Sequence, residues 1–391
     1  MAKPKLNIAL IGTKFMGKAH SNAWAQVAHF FDLPVQPVMK VIVGRDAKGT
    51  QKMADQWGWQ EAATDWKEVI KRKDIDLVDV STPNNLHAEM SIAALKAGKH
   101  VVCEKPLAKS VKECEAMVKA AEAAKKANFV CYNYRRVPAV SLARQLVQEG
   151  KIGRVYHVRC LYLQSWIMDP NFPLVWRLQG DIAGSGPHGD LNAHIIDAAR
   201  FITGEEVTEV SAAFETFIKE RPLGAMTGGL SASGGSKKGK VTVEDAALLI
   251  GRMSGGALCS FEATRFAQGR KNGNSIEING EKGAIRFEFE DMNRLKFYDA
   301  TKPSYLQGWT DILATEANHP YFGAYWPAGH IIGYEHTFIN IAYDVLTAVG
   351  KGGAALKNLG PTFADSTNTQ RVLEAAEKSA KSRKWVATGC K

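Results

Sequence analysis

Polar and apolar positions along this 391-residue chain follow one rhythm early and another late. Leu6–Ile11, Val38–Val43, Leu77–Val80, Val101–Cys103 and Phe129–Tyr132 are short, nearly continuous runs of β-formers, the pattern of strands buried on both faces. Helical periodicity fills the gaps, after Gly17 to about Val27, then over Asp46–Trp57, Trp66–Lys71, Ala88–Ala97 and Val111–Ala127. Gly98 stops the fourth of these helices. Strands alternating with helices at this spacing predict a parallel, doubly wound sheet.

The rhythm then changes. A helix over Ala139–Gln148 precedes a strand over Val155–Leu163 that alternates in part. Pro187 is a favourable helix start and Gly204 a natural stop, with Leu191, Ile195, Ala198, Ala199 and Ile202 as the packing stripe between them. Strand patterns follow over Val207–Ile218, Val241–Arg252, Ala257–Thr264, Ser275–Ile278, Ala284–Phe289 and Arg294–Tyr298. Turns such as Gly255-Gly256 and Asn279-Gly280 separate them, which predicts a large, mostly antiparallel sheet. The glycine-, serine- and lysine-rich stretch Pro222–Lys240 reads as a mobile surface loop. Lys302–Ile332 is long and aromatic, fitting a sugar-binding wall and a subunit contact equally well. Helices over Tyr334–Val349 and Thr362–Ser382 close the chain. The expectation is an α/β protein with a doubly wound domain over 1–134 and a second α/β domain over 135–391, built on an open sheet.

Composition narrows the partners. Hydrophobic residues at 45% and charged residues at 23% are ordinary for a globular enzyme. The formal charge of +10 comes from lysines and arginines spread along the chain, with no dense block interleaved with aromatics, so nucleic acid is not expected as a partner. The six cysteines form no CxxC pair, and Cys103 and Cys131 sit in apolar strands as small hydrophobes. No leader-like segment and no membrane-length apolar run is visible, so a reduced, cytoplasmic protein is expected.

Chemistry concentrates at strand ends. Gly12-Thr13-Lys14-Phe15-Met16-Gly17 joins the first strand to the first helix, a turn that aims backbone N–H groups and a positive helix end at a pyrophosphate. Lys14 stands where the usual fingerprint has its second glycine. After the second strand come Gly44-Arg45-Asp46, where an acid suits the ribose hydroxyls of NAD and an arginine the 2′-phosphate of NADP; both are present. Glu104 and Lys105 follow the strand Val101–Cys103 and precede Pro106, where open α/β sheets bind ligands, although a solvated turn explains these residues equally well. Asp190, His194 and Asp197 are spaced i, i+4 and i+7 on one predicted helix face, as an acid–base set or as a surface pair. No third ligand has metal-binding spacing, so no metal is expected.

The stretches STPNNLHAE and AALKAGKHVVCEKPLA, with YNYRRVPA at 132–139, resemble the Gfo/Idh/MocA family of NAD(P)-dependent sugar and inositol oxidoreductases. FMGKAHS, NYRR and YLQSW are most similar to its levoglucosan dehydrogenase-like members, which oxidise the C3 hydroxyl of a pyranose. The resemblance implies a Rossmann domain holding NAD or NADP through Gly12, Lys14, Phe15, Met16, Arg45, Asp46, Thr82, Asn84, His87, Glu104, Lys105, Asn133 and Arg177. It implies a sugar substrate held by Tyr134, Gln164, Trp166, Asp190 and His194, with catalysis shared by Lys105, His194 and Asp190, a Lys105–Pro106 bond that can be cis, and a homo-oligomer, dimer or tetramer. A histidine near neutrality suits the base that takes the hydroxyl proton, and a lysine suits the developing alkoxide. Two other readings stay open. One is a glycosidase that uses retained NAD in an internal redox cycle, and the other a non-catalytic sugar or nucleotide sensor.

Overall fold

The structure is a computed structural model and describes residues 3–228, 231–352 and 360–390. Six strands, β1 (Lys5–Ile11), β2 (Gln36–Val43), β3 (Glu61–Ala63), β4 (Leu77–Val80), β5 (His100–Cys103) and β6 (Asn128–Val130), form a sheet in the order β3-β2-β1-β4-β5-β6. Every pairing in it is parallel. The expected helices appear as α1 (Phe15–Phe30), α2 (Ala47–Trp57), α3 (Trp66–Lys71), α4 (His87–Lys96) and α5 (Val111–Ala124). Strand order reverses between β1 and β4, the switch point beside which such sheets bind ligands. Only β3 is additional to the expected strands, and at three residues it is too short to show a pattern.

The second sheet has nine strands in the order β16-β15-β14-β13-β7-β12-β11-β8-β17. They are β7 (Val155–Leu163), β8 (Val207–Glu215), β11 (Ala246–Met253), β12 (Leu258–Thr264), β13 (Gly273–Gly280), β14 (Gly283–Glu288), β15 (Arg294–Asp299), β16 (Trp309–Leu313) and β17 (Val386–Ala387). All neighbours are antiparallel except β7 and β12. One face carries Val158, Cys160, Tyr162, Leu249 and Phe261 into the core, where helices α6 (Pro138–Gln148) and, after the single turn α7 (Gly180–Ala183), α8 (Ala193–Thr203) lie. The other face leaves Leu248, Ile250 and Leu258 about half exposed.

Two expectations about loops are corrected. Pro222–Lys240 is a hairpin, β9 (Glu220–Gly228) with β10 (Ser231–Lys240), apart from residues 229 and 230, which lie outside the described residues. Its composition reads as loop because the anchor is one arginine. Arg221 is fully buried and donates to the carbonyls of Ile167, Asp169 and Phe172. Gly239 lies where a Cβ would strike Leu174 and Leu223, so these glycines provide close packing rather than freedom. Within Lys302–Ile332, β16 pairs with β15 and three-residue turns cover Ser304–Leu306 and Phe322–Ala324. Phe322 is buried, whereas Tyr305, Trp309 and Trp326 are exposed.

The chain divides into two compact units, Met1–Asn133 with Gly333–Thr367, and Tyr134–Ile332 with Asn368–Lys391. The expected continuous stretch 135–391 is therefore interrupted. Helix α9 (Tyr334–Gly350) packs on α1 through Phe15 on Tyr334, His20 on Phe338 and Phe31 on Tyr343, and so counts with the first unit. The final helix, α10 (Phe363–Ser382), starts there with Phe363 N–H donating to Asn128 Oδ1 at 2.8 Å. No helix among the described residues is long and apolar enough to cross a membrane.

The segment before α8 also departs from expectation. His188–Asn192 is a π-helical turn, so Asp190 lies in it and outside the α-helix that carries His194 and Asp197. The expected stripe of Leu191, Ile195, Ala198, Ala199 and Ile202 is buried, but so is most of the rest of α8, which runs through the core. Asp197 belongs to that core: Arg135 donates to both its oxygens, at 2.7 and 2.5 Å. His188 is fully buried; Nε2 faces the Leu373 carbonyl and Nδ1 the Asn192 amide, while its backbone N–H donates to Glu244 Oε1.

Two stability outcomes follow from these contacts. Asp197→Ala strands a buried guanidinium, and the urea midpoint of the second unit should fall by an amount equivalent to about 3–5 kcal/mol. Burial depresses His188 to about 4, so the folded state binds fewer protons than the unfolded state between that value and 6.5. The stabilisation is complete above pH 6.5 and lost as pH falls toward 4, by roughly 3 kcal/mol. Urea titrations at several pH values should show this slope in the native protein and a flatter one in His188→Asn.

Candidate active site

In the first unit the site is built at the carboxyl ends of β1, β4 and β5. Gly12 ends β1 at φ +131°, and a Cβ there would lie 2.4 Å from the Ser81 carbonyl oxygen at the end of β4. Gly17 passes equally close to Gly12, a Cβ meeting its carbonyl oxygen at 2.2 Å. These two glycines bring the first turn of α1 against the strand ends, as a dinucleotide cradle requires. No side chain caps α1, so its first N–H groups remain available to an anion. Lys14 and Phe15 are exposed at that helix start, and Met16 is half-buried. Residues present here fit a pyrophosphate.

At the end of β2 the two competing residues separate. Asp46 accepts from Gly49 N–H at 2.9 Å as the N-cap of α2, and Arg45 is exposed. Thr82 and Asn84 are half-buried after β4. His87 is fully buried, with its ring nitrogens facing the Pro106 and Thr82 carbonyls, both at 2.9 Å. Burial holds its pKa below the usual value against the pull of those carbonyls. Its part in the cradle is to tie two turns together from inside. Asn133, also buried, donates to Thr337 Oγ1 at 3.0 Å.

Lys105 is half-buried after β5, and its peptide bond to Pro106 is cis. Glu104 is not a solvated turn residue. It is 4% exposed; Oε1 lies 2.8 Å from His20 Nε2, and Oε2 accepts from the Lys105 N–H.

In the second unit His194 is buried under aromatic rings, 4.6 Å from Tyr134 and 5.9 Å from Tyr162 between centroids. Those two hydroxyls are 2.6 Å apart, and Tyr162 donates to Asn272 Oδ1 at 2.8 Å. Gln164 also donates to Asn272 Oδ1, and Trp166 Nε1 donates to Gln164 Oε1, each at 2.9 Å. The expected residues Tyr134, Gln164, Trp166 and His194 are thus brought together around Asn272. Asp190 is held by Arg265, fully buried, which donates to Oδ2 at 2.7 Å. Arg177, half-buried, stacks on Trp176 at 4.5 Å; burial lowers its pKa and the nearby Asp190 opposes that.

Sequence reading missed His20, Asp79, Tyr162, Arg265 and Asn272. Signals existed for two of them. An aspartate inside the apolar run Leu77-Val78-Asp79-Val80 needs a buried partner, and Tyr162 puts a hydroxyl on the inward-facing positions of β7. For Arg265 and Asn272 no local pattern points to their partners, which are 75 and 110 residues away.

Known proteins resemble this chain over most of its length. Residues 6–132 match the oxidoreductase family described as an NAD-binding Rossmann fold, and residues 140–286 match the GFO/IDH/MocA C-terminal domain. Levoglucosan dehydrogenase of Pseudarthrobacter phenanthrenivorans is 42% identical over 97% of this chain and 97% of its own length. A crystal structure of an oxidoreductase domain protein from Kribbella flavida superposes with a TM-score of 0.93 at 51% identity, covering 99% of this chain and 100% of that one. Levoglucosan dehydrogenase in complex with NADH and levoglucosan gives 0.92 at 40% identity, covering 98% and 100%. The chain therefore belongs to the Gfo/Idh/MocA family of oxidoreductases, and its first domain is an NAD-binding Rossmann domain.

Proposed function

We propose that this protein is a dehydrogenase that oxidises a secondary hydroxyl, at C3, of a pyranose sugar or glycoside. The observation that carries the reading is the pairing, in one family member, of an uncapped glycine cradle with a second unit that buries His194 among Tyr134, Tyr162 and Asn272. The similarity to levoglucosan dehydrogenase supports a pyranose substrate. NAD, when bound, supplies the hydride acceptor.

In this reading each side chain has a separate task. His194 accepts the hydroxyl proton, held in orientation by the Tyr134 ring against it. Asp190, fixed by Arg265 and still about one-third exposed, accepts from a second sugar hydroxyl. Gln164 and Trp166 border the same region and orient the ring, an indole face suiting the apolar side of a sugar. Lys105 donates to the oxygen as it becomes an alkoxide. Gly12, Lys14, Phe15, Met16, Thr82, Asn84, Asn133 and Arg177 hold the dinucleotide, with Arg45 and Asp46 deciding between NAD and NADP. Exposed Leu248, Ile250 and Leu258 on the outer face of the nine-stranded sheet support a homo-oligomer.

The test is cofactor reduction, followed by near-ultraviolet absorbance, with NAD and NADP offered separately against levoglucosan, other pyranoses, glycosides and inositols. Reduction with a pyranose and a 3-keto product are expected. Lys105→Ala and His194→Ala should each lower kcat by about 10²–10⁴ and leave the dissociation constant for NADH within a few-fold. Silence across the panel from protein purified with tightly held nicotinamide would replace this reading with the internal redox cycle.

A further inference from the structure

The first unit buries a chain of polar side chains for which cofactor binding has no direct use. His20 lies on the inner face of α1 and is 4% exposed. Its Nδ1 is 2.8 Å from Asp79 Oδ2 and 3.0 Å from Oδ1, and its Nε2 is 2.8 Å from Glu104 Oε1. Trp24 Nε1 donates to Asp79 Oδ2 at 2.7 Å, and the Phe338 ring covers the imidazole with centroids 5.4 Å apart. Asp79 is 0% exposed and Glu104 4%.

Hydrogen-bond arithmetic ties the state of this imidazole to its two partners. With Asp79 and Glu104 both ionised, each carboxylate only accepts, so the ring between them donates from both nitrogens, which only the imidazolium can do. Burial opposes the charged form, and Asp79 and Cys131 together outweigh it, so that the His20 pKa lies well above its usual value. A competing reading is a metal site, because donor atoms of His20, Glu104 and Cys131 lie within 4.8 Å of one another. Both imidazole nitrogens already face carboxylates, and burial pushes the Cys131 thiol up to about 12, so of this set only the Glu104 carboxylate is ready to meet a cation.

We propose that His20 is a positioning residue for the reaction: a permanently cationic imidazole that clamps Glu104 to Asp79 and thereby fixes the backbone that carries Lys105. The last link is the Glu104 Oε2 bond to the Lys105 N–H, at 3.1 Å. Buried between Asp79 and Glu104, His20 acts through Glu104. It joins three separate pieces of chain, the inner face of α1, the middle of β4 and the end of β5. A neutral side chain in its place leaves two buried carboxylates short of donors, and Glu104 is then free to turn away from Lys105. The proposal rests on the reading of Lys105 as a catalytic residue.

Two arms test it. In the NADH-bound enzyme, ¹⁵N-histidine NMR should show His20 with both nitrogens protonated from pH 6 to pH 9; a neutral tautomer within that range overturns the proposal, as does stoichiometric zinc in the purified protein. In the second arm, His20→Gln and His20→Asn should each lower kcat about 10–100-fold, with sugar KM and the NADH dissociation constant within threefold. Adding either change to Lys105→Ala should cost nothing further, because the two act through one group. Full turnover in both His20 variants, or losses that multiply with Lys105→Ala, overturns the proposal while leaving Lys105 catalytic. Full turnover in Lys105→Ala instead removes the parent reading and this one with it.

Discussion

A carboxylate taken out of water must be met by donors, and the chemistry of both units is arranged around that constraint. In the first unit Asp79 and Glu104 are buried at neighbouring parallel strands, and His20 meets both. In the second, Arg265 meets Asp190 and Arg135 meets Asp197. Each pair is drawn from segments distant in sequence, so the charge that needs a partner also joins elements that would otherwise be held only by apolar packing. Removing one member leaves an uncompensated charge in a low-dielectric interior, and for that reason these residues are less replaceable than the exposed ion pairs such as Lys71 with Glu68.

The same constraint holds the proposed site residues in place. Lys105 follows a residue whose carboxylate is anchored on one side by an imidazole and on the other bonds the Lys105 backbone. His194 has aromatic rings against it, and Asp190 has a buried guanidinium behind it. The Asp190 head is thus aimed by a buried partner, and the Lys105 backbone is fixed by another. Close backbone approach does the rest: Gly12 and Gly17 permit contacts at 2.4 and 2.2 Å from where a Cβ would stand, which no other residue tolerates.

Local pattern made most of the architecture legible. Apolar runs of three to six residues located the parallel strands, and Gly98 and Gly204 marked helix ends that the structure places one to two residues away. Pattern failed where an element is held from outside itself. The β9–β10 hairpin has the composition of a loop, and its order comes from Arg221 reaching the carbonyls of 167–172. The π-helical turn at His188–Asn192 is bonded by Glu244 and Leu373 from distant segments, which a uniform helical pattern does not register.

The amino-acid sequence by itself determined the fold class, the glycine cradle, the placement of Lys105 at a strand end and the helix that carries Asp190 and His194. Each of these depends on residues within a few positions of one another, through β-propensity, helical periodicity or the freedom of glycine. Tertiary structure alone decided which charges are paired. It assigned Asp197 to Arg135, Asp190 to Arg265, Glu104 to His20 and Asn272 to the tyrosines. It also placed Gly333–Thr367 with the first unit, through rings on α9 that pack against α1. The physical reason is the same throughout. Burial is a property of the assembled chain, and a polar group's need for a partner does not exist until the fold removes it from water.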